Sequence, residues 1–293
     1  MRILLLGKNG QVGWELHRTL TPLGEIFALS RKDLDLTNLG QIKAAISEIK
    51  PDLLVNAAAY TDVDKAETEE DLAYRVNAEA VKMMVEEAEK YNTAIVHYST
   101  DYIFDGEKGP YVEDDKPNPI NAYGRSKLAG ENIIRQSQLP YIIFRSGWIY
   151  GGRGKNFLLT VLRLAREREK LKIVDDQYGS PTWSRFIAEA TANVLSRSNG
   201  QITDFLKQYG GIYHLTSSGS TTWYNFARMI LRLDPCRQEQ LCREVLPITT
   251  EEFPTPAKRP KCSTLDNKRV EKAYNLKRPR WDLMLRDMFN HLK

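Results

Sequence analysis

Short apolar runs alternate with amphipathic segments along the first 150 residues. The runs predict strands, and the segments between them carry apolar residues at helical spacing. The predicted strands lie at residues 3–6, 26–29, 52–55, 94–98 and 141–144, and the predicted helices at residues 12–20, 39–49, 70–91 and 123–136. Apolar strands separated by helices are typical of a parallel sheet with crossover helices. The pattern therefore predicts an α/β fold with a doubly wound sheet over residues 1–150.

After Tyr150 the spacing of apolar residues changes. A Gly-rich turn leads into further segments, which predict helices at residues 156–169, 184–196, 223–233 and 281–291 and strands at residues 171–175 and 212–215. We expect the strand near 171–175 to return to the first sheet. The chain is thus predicted to have two domains, residues 1–150 and a smaller mixed α/β domain over residues 151–293.

Composition excludes several classes of protein. Of the 293 residues 42% are hydrophobic, which excludes a disordered chain, and the 18 glycines exclude collagen. The apolar runs are far shorter than the ~20 residues of a membrane span. The first run ends at Gly7 and does not resemble a signal peptide. We expect a cytoplasmic protein without a membrane partner.

The cysteines, the histidines and the charge distribution indicate few candidate functional groups. The three cysteines lack a C-x-x-C spacing and the four histidines are scattered, so we predict no metal site. The segment from residue 251 to the end carries 11 Lys and Arg against 6 Asp and Glu. This excess fits an anionic small molecule, although charge alone favours a solvated surface. We expect no nucleic-acid partner, because no basic stripe alternates with aromatic residues.

A glycine-rich turn follows the first predicted strand and opens a helix. Gly7, Gly10 and Gly13 form a G-x-x-G-x-x-G pattern that also contains Gln11 and Val12. Such glycines allow a tight turn, approach of a pyrophosphate to the backbone, and close packing of helix on strand. The context predicts a Rossmann-type dinucleotide-binding domain.

The residues after the second strand bear on the choice of cofactor. The acid expected there is absent, and the chain reads Ser30-Arg31-Lys32. Arg31 and Lys32 would attract a 2′-phosphate, so NADPH fits at least as well as NADH. Asp33 and Asp35 follow, and each could face the cofactor or close a turn.

Two polar groups could act on a carbonyl. Tyr123 and Lys127 are four residues apart, so on a helix they share one face. An ammonium beside a phenol lowers its pKa and favours proton transfer. Ser99, Thr100 and Asp101 stand where the fourth strand ends, the edge at which doubly wound sheets bind ligands.

Together these features resemble the extended short-chain dehydrogenase/reductase family. The resemblance rests on residues 7–13, the Asn-Ala-Ala-Ala run at residues 56–59, the strand-four hydroxyls, Tyr123 and Lys127. Longer blocks at residues 10–16, 61–67, 97–104, 176–182 and 254–260 resemble the members of that family that reduce dTDP-linked 4-keto sugars.

The resemblance implies NADPH- or NADH-dependent reduction of dTDP-4-dehydro-6-deoxy-L-mannose to dTDP-L-rhamnose, with residues 151–293 binding the sugar nucleotide. It implies that Tyr123 donates the proton, that Thr100 bonds the same oxygen, and that Lys127 tunes Tyr123 and holds the ribose. It further implies cofactor contacts from Gly7, Gly10, Gln11, Val12, Gly13, Arg31, Asp35, Leu36, Ala57, Ala58, Ala59 and Thr61, and substrate contacts from Thr100, Asp101, Tyr102, Trp148, Asn156 and Arg259. Core packing is an equally good interpretation of Trp148.

Alternatives within the family differ at particular residues. A sugar-nucleotide 4,6-dehydratase carries Thr-Asp-Glu at the end of strand four, whereas this chain has Tyr102 in place of the Glu. A 4-epimerase shares the catalytic residues and is disfavoured by the later blocks. A regulatory subunit like that of methionine adenosyltransferase would lack Thr100, Tyr123 or Lys127, which are all present. Family members are monomers or homodimers, and both states are left open.

Overall fold

Six parallel strands form the centre of the molecule. The computed structural model describes residues 1–291. The strands of the chain are β1 (Arg2–Leu6), β2 (Glu25–Leu29), β3 (Leu53–Asn56), β4 (Ala94–Thr100), β5 (Tyr141–Ser146), β6 (Ile149–Tyr150), β7 (Lys170–Val174), β8 (Tyr178–Gly179), β9 (Thr182–Trp183), β10 (Gly211–His214), β11 (Thr221–Thr222) and β12 (Glu244–Ile248). The large sheet has the order β10-β5-β4-β3-β1-β2, and all of its neighbouring strands are parallel. This sheet confirms the predicted doubly wound α/β fold.

The helices are α1 (Gln11–Thr19), α2 (Leu39–Ile49), α3 (Glu70–Tyr74), α4 (Ala80–Tyr91), α5 (Ala122–Gln136), α6 (Phe157–Glu167), α7 (Ser184–Ser196), α8 (Ile202–Tyr209), α9 (Trp223–Leu233), α10 (Lys268–Tyr274) and α11 (Trp281–Asn290). The single helix predicted over residues 70–91 is interrupted by a π-helical turn at Arg75–Glu79. No helix within residues 1–291 is long and apolar enough to span a membrane.

Helices cover both faces of the large sheet. Leu16 of α1, Ile187 of α7 and Leu206 of α8 belong to the core on one face. Ile46 of α2 and Met84 of α4 belong to the core on the other. Every residue of β3 and β4 is buried, and the apolar residues 53–55 and 94–96 that begin them are what predicts these strands from the sequence.

The second half of the chain builds a smaller lobe around its own apolar cluster. Leu158 of α6, Ile230 of α9 and Leu285 of α11 meet there, with Leu171 of β7 beside them. Strand β7 pairs in parallel with β12 in a separate two-stranded sheet.

The prediction that residues 171–175 return to the large sheet is therefore wrong. Lys170 and Lys172 of β7 are exposed while Leu171 is buried, the pattern of a strand with one solvated face. The sixth strand of the large sheet is β10, which pairs with β5. The chain thus interleaves its two halves, because α7, α8 and β10 of the second half all pack on or join the large sheet, and the division at residue 150 stays a prediction.

Candidate active site

A cleft of about 910 Å³ opens at the edge of the large sheet where the parallel strands end. Strand β1 lies between β2 and β3, so the strand order reverses its direction across the sheet at β1, and such switch points bind ligands in doubly wound folds. The predicted site residues that line the cleft are Gly7, Gly10, Gln11, Val12, Arg31, Asp35, Leu36, Ala57, Ala58, Ala59, Thr61, Thr100, Asp101, Tyr102, Tyr123, Lys127, Trp148 and Arg259. Gly13 and Asn156 lie outside this lining. A second hollow, of about 520 Å³ between β2 and α2, contains none of the predicted catalytic residues.

The turn after β1 has the shape of a pyrophosphate cradle. Gly7 has a φ of +85°, and a Cβ there would lie 2.9 Å from the backbone of Ala57. A Cβ on Gly13 would lie 2.1 Å from the Gly7 oxygen, so Gly13 allows α1 to pack closely on the turn, as predicted. Helix α1 starts at Gln11 without a side-chain cap and without an acid in its first turn. Its first N–H groups can therefore bind an anion, and the cradle fits a dinucleotide.

The residues after β2 include two acids that close the turn and one exposed cation. The Asp33 carboxylate accepts the N–H and the hydroxyl of Ser30, both at 2.8 Å. The Asp35 carboxylate accepts the N–H of Thr37 at 3.0 Å and its hydroxyl at 2.9 Å. Arg31 has an 82% exposed side chain, with its Nε 3.7 Å from Asp35. The acids close the turn, and Arg31 stays exposed in the lining of the cleft.

The loop after β3 forms the middle of the cleft. The Asn56 carboxamide oxygen accepts the N–H of Ala58 at 3.2 Å, which holds the run of small residues 57–59 in place. A buried Asn77 in the π-helical turn then holds Tyr60, accepting its N–H at 2.9 Å and donating to its carbonyl at 3.1 Å. Thr61 follows directly. No sequence motif singles out Asn77, because its role depends on the π-helical turn.

Helix α5 brings Tyr123 to the end of β4. The buried Asn121 caps the helix by accepting the N–H of Gly124 at 2.7 Å. A Cβ on Gly124 would lie 2.2 Å from the carbonyl oxygen of Tyr102, so only glycine allows the helix to lie this close to the turn after β4. The rings of Tyr102 and Tyr123 meet edge to face, with centroids 6.2 Å apart.

The protonation of Tyr123 differs from the prediction. Burial raises the pKa of Tyr123 to about 12, the Thr100 hydroxyl opposes this rise, and the Asp101 carboxylate adds to it. The predicted lowering by Lys127 is wrong for the protein's own groups, because the Lys127 ammonium donates to the Tyr98 carbonyl at 2.7 Å. Tyr123 thus keeps its proton at neutral pH, as a proton donor requires.

Lys127 is buried behind the cleft. Its Nζ lies 3.4 Å from Nε2 of His97, whose Nδ1 is 3.2 Å from the Asn56 carboxamide nitrogen. Burial lowers the pKa of Lys127 to about 8, and the charge of Glu131 opposes the change. The ammonium therefore prevails at pH 7 and titrates just above it.

Polar side chains lie at the carboxyl ends of β4 and β5, and two of the described hydroxyls have no hydrogen-bond partner. The Thr100 hydroxyl donates to Asp101 at 3.2 Å and accepts the N–H of Tyr102 at 3.1 Å. Burial raises the pKa of Asp101 to about 7. Within residues 1–291 the buried hydroxyls of Ser99 and Ser146, which line the cleft, have no hydrogen-bond partner. Buried polar groups are usually satisfied, so these hydroxyls fit a site that binds a polar ligand.

Arg259 enters the cleft from the segment between β12 and α10. Its Nη2 donates to Asp64 at 2.8 Å, and its side chain is 22% exposed. Burial lowers the pKa of Arg259, but Asp64 and Tyr102 raise it overall, so the guanidinium lies beside the strand-four residues. Asn121 donates to the carbonyl of Lys258 at 2.9 Å, which fixes the segment against the start of α5.

Trp148 lines the cleft, whereas Asn156 has another role. Trp148 stacks on Trp223, a residue that the sequence analysis missed. Asn156 caps α6 by accepting the N–H of Leu159 at 3.0 Å, and its amide donates to Gln11 at 2.9 Å. The predicted substrate contact of Asn156 is not supported by this position, because its polar atoms already bind the helix start and the turn at residue 11.

The residues that could bind a metal do not cluster in the described part of the chain. Within residues 1–291 no three His, Cys, Asp or Glu side chains gather in a way that could hold a metal ion. Glu15 of α1 instead pairs with Arg185 of α7 at 3.4 Å.

A dinucleotide cradle that shares one cleft with a Thr, Tyr and Lys defines a Rossmann-fold oxidoreductase of the short-chain dehydrogenase/reductase type. Comparison with known proteins narrows the class. The chain belongs to the RmlD substrate binding domain family, which matches residues 1–293.

Individual relatives agree with this family. A dTDP-4-dehydrorhamnose reductase of Burkholderia thailandensis is 43% identical, over 99% of this chain and 100% of the relative. The crystal structure of a dTDP-4-dehydrorhamnose reductase from Clostridium acetobutylicum is 39% identical with a TM-score of 0.89, and covers 100% of this chain and 99% of its own. That of the Bacillus anthracis enzyme in complex with NADP is 36% identical with a TM-score of 0.87, and covers 99% of both chains.

Proposed function

We propose that this chain reduces dTDP-4-dehydro-6-deoxy-L-mannose to dTDP-L-rhamnose with NADPH or NADH. The carrying observation is that Thr100, Tyr123 and Lys127 share one cleft with the glycine cradle of the first turn. The names of the relatives supply the sugar nucleotide, and the NADP complex of one of them supports the cofactor.

The protein's own groups handle the proton and the developing charge. The nicotinamide, when bound, supplies a hydride to C4 of the sugar. Tyr123 donates its phenolic proton to the C4 oxygen, so hydride and proton together convert the ketone to an alcohol. The Thr100 hydroxyl bonds the same oxygen once it rotates away from Asp101, 3.2 Å distant. Both groups stabilise the charge that forms on the oxygen during transfer.

Lys127 acts on the cofactor rather than directly on Tyr123, because its ammonium already donates to the Tyr98 carbonyl at 2.7 Å and does not lower the pKa of the phenol. The same group can donate to a hydroxyl of the nicotinamide ribose. This requires the cationic form, which holds below the pKa of about 8.

Arg259, Tyr102 and Trp148 bind the sugar nucleotide. Arg259 presents a planar guanidinium that suits a diphosphate, and Asp64 holds it at the cleft wall at 2.8 Å. Tyr102 and Trp148 supply aromatic surface beside it. Tyr102 also marks the difference from a dehydratase, since its phenol cannot replace the carboxylate base at that position.

Oxidation of NADPH, followed by absorbance, tests this function. We expect consumption only when dTDP-4-dehydro-6-deoxy-L-mannose is present, with NADH tested in parallel. Consumption with another keto-sugar nucleotide alone would reassign the substrate. Cofactor binding without turnover of any keto sugar would refute the reductase and favour a regulatory subunit.

A further inference from the structure

The block at residues 176–182 resembles the reductases, yet the reaction above leaves it without a role. Of its members, Gln177 is 5% exposed and Gly179 is buried. Both lie beside two tryptophans of the cleft wall, Trp148 after β5 and Trp223 at the start of α9. The block and the two indoles form one arrangement.

The two indoles are stacked face to face. Their ring centroids are 3.4 Å apart and their planes differ by 3°. Trp148 has a φ of +48°, in the left-handed region that residues other than glycine rarely adopt. Such a backbone conformation persists only where the surroundings enforce it, and it is typical of functional sites.

Residues of the block enforce this conformation from the other side. A Cβ on Gly179 would lie 2.2 Å from the Trp148 indole, so only glycine leaves room for the ring. The Trp148 carbonyl accepts the N–H of Thr182 at 3.2 Å, where β6 begins to pair with β9. The backbone and the ring of Trp148 are both held by the 176–182 block.

Trp223 is itself fixed. Its indole N–H donates to the Gln177 carboxamide at 3.2 Å, and Gln177 donates in turn to the Thr250 hydroxyl at 3.1 Å. The Phe157 ring packs against it at a centroid distance of 4.5 Å. Because Trp223 cannot rotate freely, the ring stacked on it cannot either.

We infer that Trp223, anchored by Gln177, is a positioning residue that holds the Trp148 indole in the orientation that contacts the sugar nucleotide. The inference rests on the proposed function for its ligand. It gives the 176–182 block a role in substrate affinity rather than in hydride or proton transfer.

Three variants test the inference, each compared with Trp14→Phe, which changes an exposed tryptophan of α1. Trp223→Leu removes the aromatic partner, Trp223→Phe keeps an aromatic ring, and Gln177→Leu removes the anchor. The measurements are KM and kcat, calorimetric binding of dTDP-L-rhamnose and of NADPH, and far-ultraviolet circular dichroism, where two stacked indoles give a two-signed exciton band.

We expect Trp223→Leu to lose the exciton band and to raise KM and the Kd of dTDP-L-rhamnose about tenfold, with kcat and NADPH affinity nearly unchanged. Trp223→Phe should also lose the band but keep most of the affinity. This variant therefore separates loss of the exciton band from loss of the aromatic contact that positions Trp148. Gln177→Leu should weaken both the band and the affinity.

Each contrary result has its own meaning. A Trp223→Leu protein that melts like wild type and keeps its affinity would refute the positioning role. A wild-type protein that shows the band but neither binds dTDP-L-rhamnose nor reduces the keto sugar would refute the proposed function, and with it the ligand assigned to Trp148, while leaving the stack established.

Discussion

Removing the guanidinium of Arg259 should weaken binding of the sugar nucleotide without affecting the cofactor. Arg259 is the cation that the segment between β12 and α10 places in the cleft, where Asp64 holds it at 2.8 Å. The proposed function pairs it with the diphosphate. The variant Arg259→Ala deletes that contact and leaves the residues of the glycine cradle unchanged.

The size of the effect follows from the geometry. The Arg259 side chain is 22% exposed, so its contact with a phosphate is partly shielded from water. A hydrogen bond to a charged group is worth about 1.5–3 kcal/mol in such a setting. Since 1.4 kcal/mol corresponds to a factor of ten, KM should rise by about 10- to 100-fold. Lysine should restore only part of the loss, because an ammonium cannot form the bidentate contact.

Steady-state kinetics with the sugar nucleotide varied at saturating NADPH would measure this effect. The matched control is Arg286→Ala, which removes an exposed arginine of α11 outside the cleft. An unchanged KM in Arg259→Ala would refute the diphosphate contact and return Arg259 to a structural partner of Asp64. Equal losses in Arg259→Ala and Arg286→Ala would indicate an effect of net charge alone.

Two further predictions concern the cofactor side of the cleft. Burial lowers the pKa of Lys127 to about 8 and the cation is the working form, so kcat/KM should fall as pH rises through this value, and a flat profile across it would contradict the role of the ammonium. Arg31→Ala should raise KM for NADPH about tenfold and leave that for NADH nearly unchanged, because only NADPH carries the 2′-phosphate; equal changes for both cofactors would exclude Arg31 as its partner.

The central sheet was predictable because burial on two faces leaves a clear signal. Strands β3 and β4 are buried throughout and begin with the apolar residues 53–55 and 94–96. Lys172 in the middle of β7 is the opposite case, since its polar side chain marks a solvated face. The apolar residues on both sides of Lys172 nevertheless suggested a strand of the large sheet. The short strand β10, which does lie at the edge of that sheet, carried no such signal in the sequence.

The site was predictable where one residue type is needed at a fixed spacing. Gly7 and Gly13 are required by contacts under 3 Å that a Cβ would make, and such positions appear in the sequence as a motif. Trp223 and Asn77 could not be found this way, since each acts through contacts with distant parts of the chain, Gln177 in one case and Tyr60 in the other. The pKa of Tyr123 was misjudged because helical spacing does not show that Lys127 points to the Tyr98 carbonyl.

The most direct test of the account compares Tyr123→Phe with wild type in the NADPH oxidation assay with dTDP-4-dehydro-6-deoxy-L-mannose. Phe keeps the ring beside Tyr102 and removes only the hydroxyl that donates the proton. We predict that turnover falls by about 10²- to 10⁴-fold while NADPH and dTDP-L-rhamnose bind as in wild type. A variant that binds both ligands and turns over at nearly the wild-type rate would contradict the assignment of Tyr123 as the proton donor.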